Sequence, residues 1–118
     1  MRSEQDDKGF LWDMIDAAQA IQEFVDRKTL EEYLEDRMLR GAVERHLEII
    51  GEAARRISEK FKEAHLEIPW RLLIGQRNIL AHEYGEVRHE VIWKVAKERI
   101  PELINRLRTI MPPDTEDK

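Results

Sequence analysis

Apolar residues recur every three or four positions along much of the chain, the spacing that places them on one face of an α-helix. The first such stretch runs from about Asp7 to Asp26 and contains Leu11, Met14, Ile15, Ala18, Ile21, Phe24 and Val25. A longer stretch, from about Asp36 to Ala64, contains Leu39, Val43, Leu47, Ile50, Ala54, Ile57 and Phe61. We therefore expect an opening helix and a long second helix that forms the spine of a bundle.

Local signals predict further helices. Thr29 with Glu32 three residues later is typical of a capping box, which starts a short helix. Pro69 is placed to begin another helix. The apolar stripe of that helix consists of Trp70, Leu73, Ile74, Leu80 and Ala81. Periodicity predicts one more helix over Val87 to Arg99 and a last one that begins at Pro101.

Composition agrees with a helical protein. The chain has 118 residues, of which 38% are charged and 7% aromatic, and this favours amphipathic helices over a sheet. We expect an all-α, up-and-down bundle of four to five helices in a single domain, residues 1–118, with 114–118 as a frayed tail. There is no cysteine and no run of about 18 apolar residues, so we expect a soluble, cytoplasmic protein without disulfides.

Small residues interrupt the long second stretch. Gly51, Ala53 and Ala54 lie in its middle. A glycine inside a helix costs about 1 kcal/mol relative to alanine, a cost that a close contact with another helix can offset. We expect a neighbouring helix to approach closely at this point.

Charge is unevenly distributed along the chain. The formal net charge is −5, which by itself argues against long-range attraction to nucleic acid. Residues 1–36 hold eleven acidic and four basic side chains, whereas the remaining 82 residues hold 14 acidic and 16 basic ones. Two interpretations stay open, a basic concave face beside an acidic first helix or charges of both signs interleaved on solvated faces.

Residues 77–84 carry three groups suited to phosphate chemistry and are followed by Gly85. The guanidinium of Arg77 is permanently charged, and its fork matches phosphate oxygens. The imidazole of His82 can exchange a proton near neutral pH, and Tyr84 adds a phenol. This combination makes the segment the predicted functional site.

Arg77 falls on the apolar stripe of its helix, four residues after Leu73. Its side chain should therefore point toward the core or an interface, where an arginine is seldom buried without a partner. Structural explanations are a carboxylate on another helix, such as Glu48 or Glu52, or an aliphatic stem that extends to water. Spacing alone does not separate these explanations from a catalytic role.

A regular helix would hold Arg77 and His82 apart. They are five residues apart, which corresponds to a rotation of roughly 140° about the helix axis. Both could still reach one phosphate if the helix unwinds near His82, as Gly85 favours, or if two copies of the motif meet across a twofold axis. Asn78 lies four residues before His82, so its amide could orient the imidazole or contact a ligand beside it.

Other polar and aromatic residues have simpler explanations. His82, His89 and the nearby glutamates follow no familiar metal-ligand spacing, so no metal site and no cofactor are predicted. His46 is expected to be satisfied inside the bundle. The aromatic residues expected to anchor the core, rather than to stack on bases, are Trp12, Tyr33, Trp70 and Trp93.

The motif consists of Arg77, His82 after four intervening residues, and Tyr84 after one more. It resembles the active-site signature of the HEPN superfamily, specifically that of the HepT toxins, which are paired with minimal nucleotidyltransferase antitoxins. The resemblance extends, in the same order, to residues 42–45, 47–54 and 68–70. It implies a HEPN-like helical bundle that forms a homodimer and acts as a metal-independent ribonuclease. It also implies that Arg77 and His82 are catalytic, that Asn78 is the family's asparagine after the arginine, and that Tyr84 is the residue modified by AMP.

The leading hypothesis is a toxin that cleaves RNA, either tRNA or mRNA, as an endoribonuclease. His82 would move a proton during attack of the ribose 2′-OH on the adjacent phosphate, and Arg77 would stabilise the charge on the phosphoryl oxygens. Asn78 would support them, and a nucleotidyltransferase partner would silence the enzyme by AMPylation of Tyr84. The alternative is a non-catalytic helical adaptor that docks such a partner through a face of the bundle.

Overall fold

The computed structural model describes residues 4–82, 85 and 87–112, and every regular element among them is helical. The helices are α1 (Glu4–Phe24), α2 (Leu30–Glu35), α3 (Arg37–Arg56), α4 (Glu59–Ala64), α5 (Trp70–His82), α6 (His89–Lys94) and α7 (Ile100–Ile110), and a π-helical turn, Val95–Arg99, joins α6 to α7. The predicted all-α class is confirmed. Tyr84 and the tail 114–118 lie outside the described residues.

Four long helical bodies build the bundle: α1, α3, α5 and the run from α6 to α7. Helix α1 packs against both α3 and α7, α3 packs against α5, and the short α2 packs against α3 and α6. The apolar stripes supply the core, in which the most fully buried side chains include Leu11, Met14, Ile21, Leu47, Ile50, Ile57 and Leu107. No helix in the described part of the chain is long and apolar enough to cross a membrane.

The predicted spine helix is shorter than expected. The prediction of a continuous helix from Asp36 to Ala64 was wrong, because α3 ends at Arg56 and the backbone is extended at Ile57 and Ser58. The Ser58 hydroxyl accepts a hydrogen bond from the Phe61 amide and so caps α4. The buried carboxylate of Asp7 accepts from the Ser58 amide at 2.8 Å and from its hydroxyl at 2.7 Å. These side-chain bonds replace the backbone bonds of a continuing helix.

The last two predicted helices form one body. His89 begins α6, and the helical run continues through the π-helical turn into α7 without a loop. Pro101 lies in the first turn of α7. A proline lacks the amide hydrogen and its ring would clash with the carbonyl four residues earlier, at Lys97. The wider π-helical turn includes Lys97, so the chain passes the proline without breaking the helix.

Helices α3 and α5 approach closely at Gly51, as predicted. A β-carbon at this position would overlap the Cβ of Arg77 and would lie 2.7 Å from the backbone oxygen of Leu73. Gly51, Ala53 and Ala54 are all buried. The contact sets the depth at which Arg77 meets α3.

Two of the three tryptophans anchor the bundle. The indole of Trp70 is buried and donates to the backbone oxygen of His65 at 2.9 Å. Trp93 packs on the buried ring of Tyr33 with centroids 5.2 Å apart. The prediction for Trp12 was wrong, since its side chain is 54% exposed. Trp12 follows buried Leu11 by one residue, which turns it roughly 100° away from the core stripe of α1.

His46 is satisfied locally, as predicted. Its Nδ1 lies 2.8 Å from the backbone oxygen of Ala42, one helical turn earlier. The imidazole also meets the ring of Phe24 edge-on, with centroids 5.0 Å apart. These contacts give the residue a structural role between α1 and α3.

Candidate active site

Helix α5 runs antiparallel to α3. Its first residue, Trp70, packs edge-on against Phe61, just beyond the end of α3. After the end of α5, Nδ1 of His89 lies 3.5 Å from a carboxylate oxygen of Glu44, in the first half of α3. Helix α5 therefore passes Glu52 on its way toward the beginning of α3.

The side chain of Arg77 points at α3 and is only 25% exposed. Its Nη2 lies 3.2 Å from Oε1 of Glu52, so of the explanations that the sequence left open, the structure shows the pairing with a carboxylate on another helix. Its Nη1 donates to Oδ1 of Asn78 at 3.0 Å. The amide of Asn78 thus contacts the arginine of the motif, and Arg77 is held at both terminal nitrogens.

Three guanidinium groups surround the carboxylate of Glu52. Arg55 donates from Nε at 3.2 Å and from Nη2 at 2.8 Å, and Arg56 donates from Nε at 3.0 Å. The hydrogen bond from Arg55, then that from Arg56, and the charges of Arg55 and Arg77 lower the pKa of Glu52 to about 2. Glu52 is therefore ionised near neutral pH, and these four side chains together carry two net positive charges.

A cleft of about 250 Å³ opens beside this cluster, between α1, α3 and α5. Its charged lining residues are Asp13, Arg45, Glu48, Glu52, Arg56 and Arg77. Glu48 pairs with Arg45 at 3.5 Å, whereas Asp13 comes from the acidic helix α1. The cleft is thus lined by three arginine and three carboxylate side chains, and all of these except Asp13 belong to α3 and α5.

His82 is the last residue of α5, and its side chain is exposed. The helix is regular from Trp70 through His82, so it does not unwind between Arg77 and His82. Arg77 points toward α3, and the spacing of five residues turns His82 roughly 140° away from it. A single chain therefore holds Arg77 and His82 on different sides of one helix.

A second groove, of about 340 Å³, lies between α5 and α6. Leu72, Ile79 and Val91 line it and are 57%, 39% and 48% exposed. Leu72 and Ile79 are seven residues apart and nearly in line on α5, and His82 follows Ile79 by three residues. An exposed apolar stripe therefore ends at the imidazole.

Three residues at the cluster and its cleft were not predicted as site residues from the sequence, namely Asp13, Arg55 and Arg56. A signal for the two arginines was present, because they follow Glu52 by three and four residues, the spacing at which side chains meet on a helix. Asp13 has no such signal, since it reaches the cleft only through the packing of α1 on α3. Within residues 4–82, 85 and 87–112, no group of three or more histidine, aspartate or glutamate side chains is placed to hold a metal ion.

Known proteins resemble the chain over most of its length. A family model described as "Ribonuclease HepT-like" matches residues 14–110. "Putative RNase MJ1380" of Methanocaldococcus jannaschii is 40% identical over 101 residues, which cover 86% of this chain and 93% of that protein. "Probable ribonuclease HepT" of Thermococcus cleftensis is 44% identical over 96 residues, which cover 81% of this chain and 87% of that protein. No solved structure matches the chain.

Proposed function

Because this chain belongs to the HepT-like ribonuclease family, we propose that it is a metal-independent endoribonuclease and the toxin of a toxin–antitoxin pair. The observation that supports this most directly is the setting of Arg77. Glu52 and Asn78 hold its guanidinium, which also lines the charged cleft. Donors fixed in this way are preorganised for phosphate oxygens and need little rearrangement during a reaction.

The proposed reaction uses the ribose 2′-OH of the substrate as the nucleophile. His82 accepts the proton of this hydroxyl as its oxygen attacks the adjacent phosphorus, and Arg77 stabilises the negative charge on the nonbridging oxygens. The bond from phosphorus to the 5′ oxygen breaks, and that leaving oxygen takes up a proton from water. The products are a 2′,3′-cyclic phosphate and a 5′-hydroxyl, since the nucleophile is internal to the substrate.

The reaction needs Arg77 and His82 at one phosphate, and a homodimer supplies this arrangement. In a twofold dimer, Arg77 of one chain can meet His82 of the partner subunit, although the two lie on different sides of α5 within each chain. The exposed stripe formed by Leu72 and Ile79 lies on the side of α5 that carries His82, and a dimer interface that contains His82 would cover it. Each dimer would then contain two composite sites.

Tyr84 is the proposed target of the antitoxin because of its place in the sequence motif and the resemblance of that motif to the family's. A cognate nucleotidyltransferase would transfer AMP from ATP to the phenol of Tyr84, two residues after His82. The added phosphate would compete for Arg77, and the adenosine would obstruct access of RNA. Modification would therefore switch off the ribonuclease.

Cleavage of RNA by the purified protein tests this function. Activity should persist in EDTA and leave 2′,3′-cyclic phosphate ends, which mass spectrometry of the fragments detects. Arg77→Ala and His82→Ala should each lower turnover by roughly 100-fold or more while circular dichroism remains unchanged. Arg108→Ala, an exposed substitution on α7, serves as the matched control and should keep wild-type turnover.

Several outcomes would contradict the proposal. Activity that disappears on chelation and returns with Mg²⁺ or Zn²⁺ would rule out the metal-independent mechanism. Wild-type turnover in Arg77→Ala or His82→Ala would remove the role of that residue. A protein that cleaves no RNA but binds its nucleotidyltransferase partner would be the non-catalytic adaptor instead.

A further inference from the structure

The cluster around Glu52 holds more positive charge than its structural task requires. A carboxylate offers about four acceptor positions, and a single bidentate arginine neutralises its charge. Here Arg55, Arg56 and Arg77 share one carboxylate, which leaves two positive charges without a counterion in the cluster. Like charges held this close together favour the binding of an anion.

Arg55 and Arg56 also have donors to offer. Among the described residues, Arg56 donates to Glu52 only through Nε, so its two terminal nitrogens are available to another acceptor. The side chains of Arg55 and Arg56 are 53% and 52% exposed, about twice the exposure of Arg77. Arg56 lines the same cleft as Arg77, so the two can contact one bound ligand.

The positions of these residues along the helix axes show where Arg55 and Arg56 lie relative to Arg77. Arg55 and Arg56 lie about one turn beyond Glu52, roughly 5 Å along α3. Because α5 is antiparallel to α3, His82 lies beyond Arg77 in the opposite direction. The two arginines are therefore about one helical turn from the level of Arg77, on the side away from His82 of the same chain.

On the basis of the proposed ribonuclease function, we propose that Arg55 and Arg56 form a second phosphate subsite, which holds the RNA backbone phosphate next to the one at Arg77. The forked guanidinium groups contact the phosphate and not the base, so the subsite adds affinity and positions the strand without selecting its sequence. Asp13 lines the same cleft from α1 and repels the strand toward α3, whereas Glu48 is paired with Arg45.

The salt dependence of RNA binding tests the subsite independently of cleavage. The probe is a fluorescent, fully 2′-O-methylated RNA 12-mer, which lacks the attacking hydroxyl, and it is titrated with the full chain in EDTA. Each contact to a single-stranded phosphate contributes about 0.7 to the slope of log Kd against log salt concentration. Arg55→Ala and Arg56→Ala should each lower the slope by about 0.7 and together by about 1.4, whereas Arg108→Ala should leave it unchanged.

Charge-preserving variants separate a charge effect from misfolding. Arg55→Lys and Arg56→Lys should keep most of the slope, because lysine also neutralises a phosphate, although as a point charge without the fork. For the double alanine variant, whose slope is lower by 1.4, raising the salt concentration from 50 to 200 mM should weaken RNA binding by a factor roughly sevenfold smaller than for the wild type. Thermal melts followed by circular dichroism report whether each variant is folded.

Arg55 and Arg56 could instead affect RNA binding only by positioning Arg77, and a double-variant experiment distinguishes this from direct contact with phosphate. In an Arg77→Ala background, direct phosphate contacts predict the same loss of slope for the Arg55, Arg56 double variant, whereas an indirect role predicts none. An unchanged slope in the double variant, or a loss seen only when Arg77 is present, would overturn the subsite. If the variants show the expected slopes but the wild-type protein cleaves no RNA, the ribonuclease proposal is refuted and the phosphate subsite is still supported.

Discussion

At the scale of single residues, the carboxylate of Glu52 determines where the catalytic arginine candidate points. Arg77 lies on an apolar stripe and would be costly to hold there without a partner. Glu52 supplies that partner from α3, and Asn78 holds the other terminal nitrogen. Glu52 pairs with Arg77, so we regard it as a positioning residue.

Replacement of Glu52 by glutamine should separate turnover from binding. The amide preserves the size of the side chain but removes its charge, so Arg77 is held less firmly while the cluster becomes more positive. We expect kcat to fall by roughly 100-fold, as for a small misplacement of a catalytic group, while KM for RNA does not rise. Steady-state kinetics measure both constants, and an unchanged kcat would show that Glu52 does not position Arg77.

The same residue predicts how stability depends on pH. The pKa of Glu52 is lowered from 4.5 to about 2 in the folded protein, so the folded state favours the ionised form. This stabilisation is present above pH 4.5 and is lost as the pH falls toward 2. The thermal midpoint of the wild type should therefore fall more steeply across that range than the midpoint of Glu52→Gln. Parallel curves in calorimetry would show that the ion pairs add nothing to stability.

Tyr33 offers a stabilising substitution. Its ring is fully buried against Trp93, and its hydroxyl has no hydrogen-bond partner among the described residues. Burial, and then the charge of Glu44, raises the pKa of this phenol. Tyr33→Phe keeps the ring and removes the unsatisfied hydroxyl, so the free energy of unfolding should rise by about 1 kcal/mol. Urea denaturation measures this free energy. If it falls instead, the hydroxyl of Tyr33 makes a stabilising bond in the folded protein.

At the scale of helices, the short segment between α3 and α4 determines how α5 is presented. The bonds from Ser58 to Asp7 end the spine early and tie this segment to α1. The chain then reverses through α4, so that α5 returns along α3 and carries Arg77 to Glu52. A continuous helix to Ala64 would have delayed this reversal by about two turns.

The contact of α3 with α5 leaves no room for a side chain at Gly51. Gly51→Ala would drive a β-carbon into Arg77 and the backbone of Leu73, so we expect a loss of about 1–3 kcal/mol of stability together with reduced cleavage. Gly41 lies on the same helix with open space around it, and Gly41→Ala should add up to about 1 kcal/mol through helix propensity. Denaturant unfolding of both variants measures the contrast, and a stabilised Gly51→Ala would contradict the close packing.

At the scale of the whole molecule, a site shared by two chains predicts complementation between two inactive variants. A mixed dimer of Arg77→Ala and His82→Ala chains has one site in which both residues are intact, so co-expression should restore roughly a quarter of the wild-type activity. Light scattering should report about twice the chain mass of 14.1 kDa. A mixture that stays inactive, or an active monomer, would place both residues of a working site in one chain.

The proposed modification of Tyr84 gives a second test at this scale. Tyr84→Phe lacks the phenol that would accept AMP, so it should keep much of the ribonuclease activity and remain toxic when the nucleotidyltransferase is co-expressed. The wild-type peptide that contains Tyr84 should carry one or more added AMP groups in mass spectrometry. An unmodified wild type together with a neutralised Tyr84→Phe variant would show that the partner inhibits by binding alone.

The sequence by itself determined the helical class and indicated Gly51 as a place where another helix could approach closely. These features depend on periodicity and residue size, which are encoded within a few neighbouring positions. Only the tertiary structure decided that Glu52 is the partner, that Arg55 and Arg56 share it, that Asp13 reaches the cleft, and that the spine breaks at Ser58. Such contacts join residues distant in the chain, and they depend on how whole helices pack, which no local pattern specifies.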